Sequence, residues 1–193
     1  MITRVLPDAN VLSSKTLRDW LFLIRDTAGE MYTVFTTEDV LAEVVYTYRR
    51  RRPDADGGKV SRLVEHMRKH VDDILVEYWV DADYAGVDPD DKHVHAAACS
   101  AEIDILITDD DGLLQLEDDR YEVSSSDAFF CLADDSHPSA TRTVALRQME
   151  YHRGLSLSEQ LVAAGCPDFA ARVDQRLAEV LRVPVGERHH LLV

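Results

Sequence analysis

The sequence predicts an α/β fold: a parallel sheet of about four to five strands flanked by helices, followed by an all-helical C-terminal extension. Over roughly the first 130 residues, strand-like and helix-like segments alternate, which is typical of parallel strands joined by crossover helices. The run Ile105, Leu106, Ile107 is apolar and β-branched between acidic residues, as expected of a buried strand. Beyond it, residues 138–182 show helical patterns alone. We therefore predict a layered domain over residues 1–136 and a helical extension over residues 137–193.

Each strand is predicted from a short apolar or β-branched run bounded by turn-forming or acidic residues. The predicted strands cover residues 2–6, 32–35, 74–80, 101–108 and 121–123. Helices between them are predicted from apolar side chains spaced three and four residues apart. Their stripes contain Leu17, Trp20, Leu21, Ile24 and Ala28; Val40, Leu41, Val44, Val45 and Tyr48; Val60, Leu63, Val64 and Met67; and Phe129, Phe130 and Leu132. Residues 91–100 form a further, alanine-rich helix.

The C-terminal extension carries helix start and stop signals. Ser156 and Glu159 have the spacing of a capping box, Gly165 can end that helix, and Pro167 suits the first position of the next one. About 55 residues are few for an independent core, so we expect these helices to dock on the first domain or on a partner.

Composition restricts the class of protein. The chain has 193 residues, 46% of them hydrophobic, with 8 Gly and 6 Pro, which is globular rather than disordered or collagen-like. Its apolar runs are far shorter than the roughly 20 residues of a membrane span, and its start does not resemble a secretory signal. We expect a cytoplasmic protein without a membrane partner. Its 3 cysteines suit buried thiols better than disulfides or a zinc cage.

Charge points to a more specific question. Lys and Arg total 21 and Asp and Glu total 36, so the formal net charge is −15. Such a chain repels a polyanion unless cations bind or positive charge is locally concentrated, which argues against a general nucleic-acid coat protein. The acids either form a solvated face or converge on a divalent metal.

Four acids occur where the sheet edge would gather them. Asp8 follows the first strand, Glu43 lies in the helix after the second, Asp91 begins the alanine-rich helix, and Asp110 follows the strand that contains Ile107. Ligands of open parallel sheets bind beyond the carboxyl ends of the strands. Each acid alone also suits an ordinary role as a turn former, a solvated side chain or a helix cap. Together, in this order, they predict one acidic mouth.

Crowded carboxylates either raise each other's pKa or recruit cations. Hard oxygen ligands select Mg²⁺ or Mn²⁺, and such ions can activate a water and stabilise charge at a phosphoryl centre. The chemistry that this cluster implies is phosphodiester hydrolysis.

In motif order and spacing, four segments of the chain resemble the PIN-domain family. They are residues 5–12 with Asp8 and Asn10, residues 40–44 with Glu43, residues 88–98 with Asp91, and residues 107–110 with Thr108 and Asp110. More narrowly, the chain resembles VapC-type toxins of type II toxin–antitoxin systems. The likeness covers roughly residues 1–130, and residues 138–182 resemble a helical extension that a subset of these toxins carries.

The resemblance implies a PIN-like three-layer fold and a Mg²⁺- or Mn²⁺-dependent endoribonuclease, usually a homodimer, held inactive by a cognate antitoxin. Asp8, Glu43, Asp91 and Asp110 would be the catalytic, metal-binding acids, with Asn10 and Thr108 as polar supports. The family pattern selects Asp110 rather than Asp109 or Asp111, because the acid stands two residues after the threonine. Counting back from the alanines at 96–98 selects Asp91 rather than Asp90.

The concentrated basic run at residues 49–52 begins about 9 Å beyond Glu43 along a helix, so Arg49 and Arg50 are candidate RNA contacts, as is Lys92. An equally good explanation is a helix C-terminus that carries cations. His93 and His95 are two residues apart, so on a helix their rings diverge and cannot share a metal; we treat both as structural or exposed.

Two alternative functions stay open. A phosphotransfer domain with Asp8 as nucleophile would have a second acid two residues later, where Asn10 stands. A non-catalytic PIN-like module could use the acids to bind a basic partner. Phosphate-loop and nucleophile-elbow motifs are missing from the sequence, which argues against dinucleotide, nucleoside-triphosphate and serine-hydrolase chemistry.

Overall fold

The computed structural model of the chain describes residues 2–29, 31–79, 83–86, 88–151 and 156–182. These residues form two compact units. The sheet unit comprises residues 1–18 and 30–125, and the helical unit comprises residues 19–29 and 126–193. Among the described residues, no helix is both long enough and apolar enough to cross a bilayer.

The sheet unit is built on five parallel strands, which confirms the predicted α/β fold. The strands are β1 (Thr3–Pro7), β2 (Tyr32–Thr37), β3 (Asp73–Leu75), β4 (Ile105–Ile107) and β5 (Glu122–Ser124). Their order in the sheet is β3-β2-β1-β4-β5, and every neighbouring pair is parallel. Val5, Leu6 and Leu106 are completely buried, as expected of central strands covered on both faces.

Helices flank this sheet, and polar side chains begin several of them. They are α1 (Ala9–Ser13), α2 (Lys15–Ala28), α3 (Glu38–Arg51), α4 (Gly57–His70), α5 (Lys92–Ser100) and α6 (Asp111–Leu114). A single 3₁₀ turn, Pro89–Asp91, precedes α5. Thr37 caps α3, and its hydroxyl accepts from the backbone N–H of Val40. Only the first turn of α2 belongs to the sheet unit.

Two predicted strands are shorter in the structure. The segment predicted over 101–108 forms a strand only from Ile105, because Glu102 has a φ of 50° and turns the chain after α5. The segment predicted over 74–80 pairs only as far as Leu75. β3 is an edge strand of the sheet. The side chains of Val76 and Trp79, which follow it, are 77% and 87% exposed, so burial against the sheet does not hold this segment in an extended strand. Val80 lies outside the described residues.

The helical unit contains most of α2 together with α7 (Ser126–Ser136), α8 (Pro138–Tyr151), α9 (Leu157–Ala163) and α10 (Pro167–Arg182). The predicted cap at Ser156 and helix start at Pro167 are confirmed. Phe169 is completely buried and meets Trp20 edge-on and Phe130 in a tilted contact, each with ring centroids 5.1 Å apart. These aromatic contacts form the core of the unit.

The two units divide at a different place from the boundary predicted between residues 136 and 137. The division falls between Ser125 and Ser126, and residues 19–29 join the helical unit. The aromatic contacts of Phe169 explain the difference, because they attach α7 and α2 to α10. Leu132, predicted in the buried stripe of α7, is 50% exposed; Ala133 is buried instead. Residues 183–193, predicted as a tail, lie outside the described residues.

Candidate acidic site

Asp8 is the buried centre of the candidate site. It follows β1 directly and is 7% exposed. Its Oδ1 accepts from the backbone N–H of Ala9 at 2.6 Å, and its Oδ2 accepts from Asn10 Nδ2 at 2.7 Å and from Thr108 Oγ1 at 2.9 Å. Burial nevertheless raises the pKa of Asp8, and the nearby charge of Glu43 adds to the rise. The carboxylate is therefore held in one orientation at an electrostatic cost.

Thr108 and Asn10 join the carboxyl ends of β1 and β4. Pro7 pairs with Ile107, so Asp8 and Thr108 leave neighbouring strands side by side. The Thr108 hydroxyl is fully buried; it donates to Asp8 and accepts from Asn10 Nδ2 at 3.0 Å and from the backbone N–H of Asp110 at 3.1 Å. Both residues thus hold the Asp8 carboxylate through hydrogen bonds, while their role as polar supports of a catalytic site stays a prediction.

Glu43 reaches the site from α3, which packs against α1. His93, on α5, donates from Nε2 to Glu43 Oε1 at 2.7 Å, and this hydrogen bond raises the pKa of the imidazole. Because a carboxylate only accepts, Nε2 must carry the proton. His93 thus fixes a site acid, whereas the sequence indicated only a structural or exposed side chain. Its position two residues after Asp91 was the available signal.

Asp91 carries the clearest sign of crowding. It precedes α5 without capping it, and its carboxylate accepts a long hydrogen bond of 3.5 Å from the Tyr84 hydroxyl. Burial, followed by the charges of Asp110, Asp8, Asp88 and Glu43, raises the pKa of Asp91 to about 6. Asp91 therefore feels the charge of all three of the other predicted acids.

Asp110 both caps a helix and interacts electrostatically with Asp91. Its Oδ1 caps α6 by accepting from the backbone N–H groups of Gly112 at 2.8 Å and Leu113 at 3.1 Å, and its charge acts on Asp91. Asp110 is exposed, as are its neighbours Asp109 and Asp111 and the alternative third acid, Asp90. The structure thus brings Asp8, Glu43 and Asp110 within electrostatic reach of Asp91, and Glu43 within reach of Asp8. Their roles in catalysis and metal binding stay predictions.

The donor set fits Mg²⁺ or Mn²⁺ chemically, because it consists of hard carboxylate oxygens. The acids do not form a tight cage. Among the described residues, the group of metal-ligand atoms found within 4.8 Å of one another is that of His95, Cys99 and Asp118. An open arrangement suits Mg²⁺, which usually keeps several waters and uses one or two carboxylates together with substrate phosphates.

Arg49 and Arg50, the candidate RNA contacts in the basic run, both interact with other residues of the chain. Arg49 Nη1 donates to the carbonyl of Ala55, and the Arg50 guanidinium lies over the Tyr46 ring, 5.7 Å from its centroid. A cavity of about 200 Å³ lies nearby and is lined in part by four basic residues; we call it the basic cavity. Its basic residues are Lys15, Arg18, Arg51 and Arg52. Sequence reasoning missed it because Lys15 and Arg18 come from α2.

Comparison with known proteins adds no relative. The chain matches no known protein-family profile, and no curated protein resembles it closely enough to count as a match. The fold and the site together define an α/β protein with a parallel five-stranded sheet and an acidic mouth around Asp8.

Proposed function

We propose that the protein is a Mg²⁺- or Mn²⁺-dependent endoribonuclease of the PIN-domain type. The observation that carries the proposal is that the charges of Asp8, Glu43 and Asp110, from separate parts of the chain, all act on Asp91, and that Asp8 is buried. Like charges at such a site raise the free energy of the ion-free protein, and a divalent cation would lower it. A structural acidic surface has no reason to bury its central member.

The acids Asp8, Glu43, Asp91 and Asp110 would hold the ion. Bound Mg²⁺ supplies Lewis acidity at a phosphoryl oxygen and lowers the pKa of water. The chain supplies orientation: Thr108 and Asn10 hold Asp8, while His93 holds Glu43. Preformed orientation matters because a misplacement of about 1 Å can cost roughly 100-fold in rate.

The basic cavity supports RNA as the substrate. Arg51 stands eight residues after Glu43, which corresponds to about 12 Å along α3. That is the axial length of roughly three to four stacked nucleotides. Arginine binds phosphate through a bidentate fork, so the cavity concentrates positive charge in a chain whose net charge is −15. Unpaired RNA is the form that fits an acidic mouth flanked by such a cavity.

The resemblance to VapC-type toxins extends the proposal to a cytoplasmic toxin that acts as a homodimer and is restrained by a cognate antitoxin. An active ribonuclease would harm its own cell unless its site were covered. We expect a small DNA-binding protein, encoded beside this chain, to co-purify with it and to inhibit it. Overexpression without any effect on growth would contradict the toxin assignment.

The nucleophile alternative is less well supported by the geometry. Asn10 stands where a phosphotransfer domain would place its second acid, and the Asn10 side chain donates to Asp8 rather than facing a leaving group. Both carboxylate oxygens of Asp8 already accept hydrogen bonds. These hydrogen bonds fix the orientation of the Asp8 carboxylate, which favours the role of a metal ligand over that of a nucleophile. Binding of a basic partner without cleavage stays as the second outcome of the test below.

Cleavage of cellular RNA by the purified chain, free of antitoxin, tests the proposal. We expect cleavage with Mg²⁺ or Mn²⁺ and none with EDTA. Asp110→Asn and Asp111→Asn form a matched pair: asparagine is as good a helix cap as aspartate, so α6 persists, and only Asp110→Asn should lose activity. Equal activity of both variants, or equal binding of a basic peptide without any cleavage, would contradict the nuclease assignment.

A further inference from the structure

A second group of possible ligands lies outside the acidic site. His95 and Cys99 are one turn apart on α5, and Asp118 lies in the segment between α6 and β5. One ligand atom from each lies within 4.8 Å of the others. Side chains four residues apart share one face of a helix, which is the spacing that lets two helical residues bind one metal ion.

The hydrogen bonds of His95 fix which ring nitrogen offers a lone pair. Arg120 Nη2 lies 3.1 Å from His95 Nε2, and a guanidinium can only donate. Nε2 is therefore the acceptor, so Nδ1 carries the proton and donates to the Tyr121 hydroxyl at 2.7 Å. Metal-binding histidines use the same arrangement, in which one nitrogen donates to an orienting partner and the other faces the ion.

Arg120 already places a positive charge where the three possible ligands converge. Its Nη2 lies 2.6 Å from Asp118 Oδ2 and 3.1 Å from His95 Nε2. Cys99 Sγ lies 3.8 Å from the same Nε2. The side chain of Arg120 is 44% exposed, whereas those of His95 and Asp118 are only 1% and 11% exposed. The exposed part of the Arg120 side chain gives it room to move into solvent when an ion replaces it.

The spacing and chemistry of the three groups suit zinc. With Zn–N near 2.0 Å and Zn–S near 2.3 Å, a tetrahedral ion holds its nitrogen and sulfur ligands about 3.5 Å apart. The Cys99–His95 separation of 3.8 Å is close to that value before any adjustment. A thiolate with an imidazole selects Zn²⁺ over Mg²⁺, and three protein ligands leave one position open.

We propose that His95, Cys99 and Asp118 form a Zn²⁺ site, with Arg120 as a built-in competitor that occupies the ion's place in the metal-free protein. This site shares no proposed ligand with the acidic mouth, although Tyr84 contacts both Asp91 and His95, and it does not depend on the ribonuclease proposal. Asp118 must exchange its ion pair with Arg120 for the metal, so the affinity of the intact chain is lower than three such ligands could give. Removal of the Arg120 charge therefore strengthens binding.

Titration of the full chain with Co²⁺, followed by absorption, tests the site without RNA. Co²⁺ replaces zinc and gives a thiolate-to-metal charge-transfer band, which reports directly on cysteine ligation. We expect the band in the parent and in Cys131→Ser, a matched control in the helical unit. Cys99→Ser should abolish it, and Asp118→Asn should weaken Co²⁺ binding at least tenfold. Arg120→Gln should tighten binding at least tenfold.

Two outcomes overturn the proposal: no charge-transfer band in the parent or in Arg120→Gln, or a band that survives in Cys99→Ser. Far-UV circular dichroism shows whether each variant folds. If Cys99→Ser does not fold, Cys99→Ala replaces it. Addition of Zn²⁺ should raise the melting temperature of the parent but not that of the cysteine variant, and equal shifts in both would also overturn the proposal.

Discussion

Two buried aspartates, one in each unit, stand in opposite surroundings. Asp134 in α7 has no exposed surface; Arg176 binds its two oxygens at 3.0 and 2.8 Å, and Arg172 adds a contact at 3.4 Å. Although burial pushes its pKa up, these hydrogen bonds hold the pKa of Asp134 below the ordinary value. Asp8 is buried among other acids, and its pKa is raised.

The opposite pKa shifts indicate different roles: Asp134 stabilises the fold, whereas Asp8 is held in place at a cost in stability. A buried carboxylate is tolerated when cations neutralise it, as Arg172 and Arg176 do for Asp134. Asp8 accepts hydrogen bonds from neutral donors on Ala9, Asn10 and Thr108. The charge of Glu43 opposes that of Asp8, and the attraction of His93 does not cancel the rise in pKa. Ionisable groups whose pKa is shifted by burial and by neighbouring like charges cluster at functional sites. The same substitution, aspartate to asparagine, should therefore have opposite consequences at the two positions.

The largest expected effect is on activity at Asp8. Asp8→Asn should lower the rate of Mg²⁺-dependent RNA cleavage by at least about 100-fold, because the central ligand loses its charge. The free energy of unfolding should change by no more than about 1 kcal/mol, since relief of repulsion offsets the hydrogen bond that is lost where the amide nitrogen replaces an accepting oxygen. Cleavage assays and urea unfolding measure the two effects. RNA cleavage by Asp8→Asn at the rate of the parent would contradict a functional role for Asp8.

Asp134→Asn should show the reverse pattern. Loss of the charge leaves Arg176 partly unpaired in a buried setting, so we expect the free energy of unfolding to fall by about 3 kcal/mol. RNA cleavage by the folded variant, assayed well below its melting temperature, should match that of the parent. A drop in activity with unchanged stability would contradict the structural role of Asp134.

The pH dependence of this stability difference follows from the sign of the shift. The pKa of Asp134 is lower in the folded chain than the value near 3.9 expected after unfolding. The stabilising contribution of Asp134 is therefore complete above about pH 5 and is lost as pH falls through the folded pKa. The parent and Asp134→Asn should converge in stability under acid. A difference that grows on acidification would show the opposite sign.

His93 should have an intermediate effect, as a positioning residue for Glu43. His93→Ala should lower kcat about 10- to 100-fold and raise the Mg²⁺ concentration that half-activates cleavage, with little change in KM for RNA. His93→Gln can still donate to Glu43, so it should recover most of the activity. Failure of both variants alike, with an unchanged Mg²⁺ requirement, would indicate a packing role instead.

The smallest effect is expected at the basic cavity. The double variant Arg51→Gln, Arg52→Gln should weaken RNA binding about tenfold and reduce the slope of log affinity against log salt by roughly 2. The matched variant Arg49→Gln, Arg50→Gln, which alters the contacts with Ala55 and Tyr46, should weaken binding less. Fluorescence anisotropy with a single-stranded RNA measures both. The reverse order would favour the first two arginines as the RNA contacts.

Local pattern predicted most of the fold. Apolar spacing predicted the helices that begin at Lys15, Glu38 and Gly57. It did not predict that the strand near Ile105 is short, because the positive φ of Glu102 leaves no signal in an apolar, β-branched run. The sequence also did not predict where the two units divide, because the division depends on the contacts of Phe169 with Trp20 and Phe130.

The acidic site was predictable because parallel strands end at one edge. Asp8 and Thr108 follow directly from that rule, and the structure places them 2.9 Å apart. Contacts between helix faces were not predictable in this way. The hydrogen bond from His93 to Glu43 and the shared cavity of Lys15 and Arg51 depend on how the residues of α2, α3 and α5 are oriented. Local sequence patterns do not encode that orientation.

Binding of Mn²⁺, followed by the electron paramagnetic resonance signal of the unbound ion, tests the central claim most directly. All proteins carry Cys99→Ser, so that the second proposed metal site does not contribute. We predict that this parent binds Mn²⁺ without RNA, that Asp134→Asn binds equally well, and that Asp8→Asn binds at least tenfold more weakly. Equal binding with and without the Asp8 carboxylate, or no binding at millimolar Mn²⁺, would contradict the account.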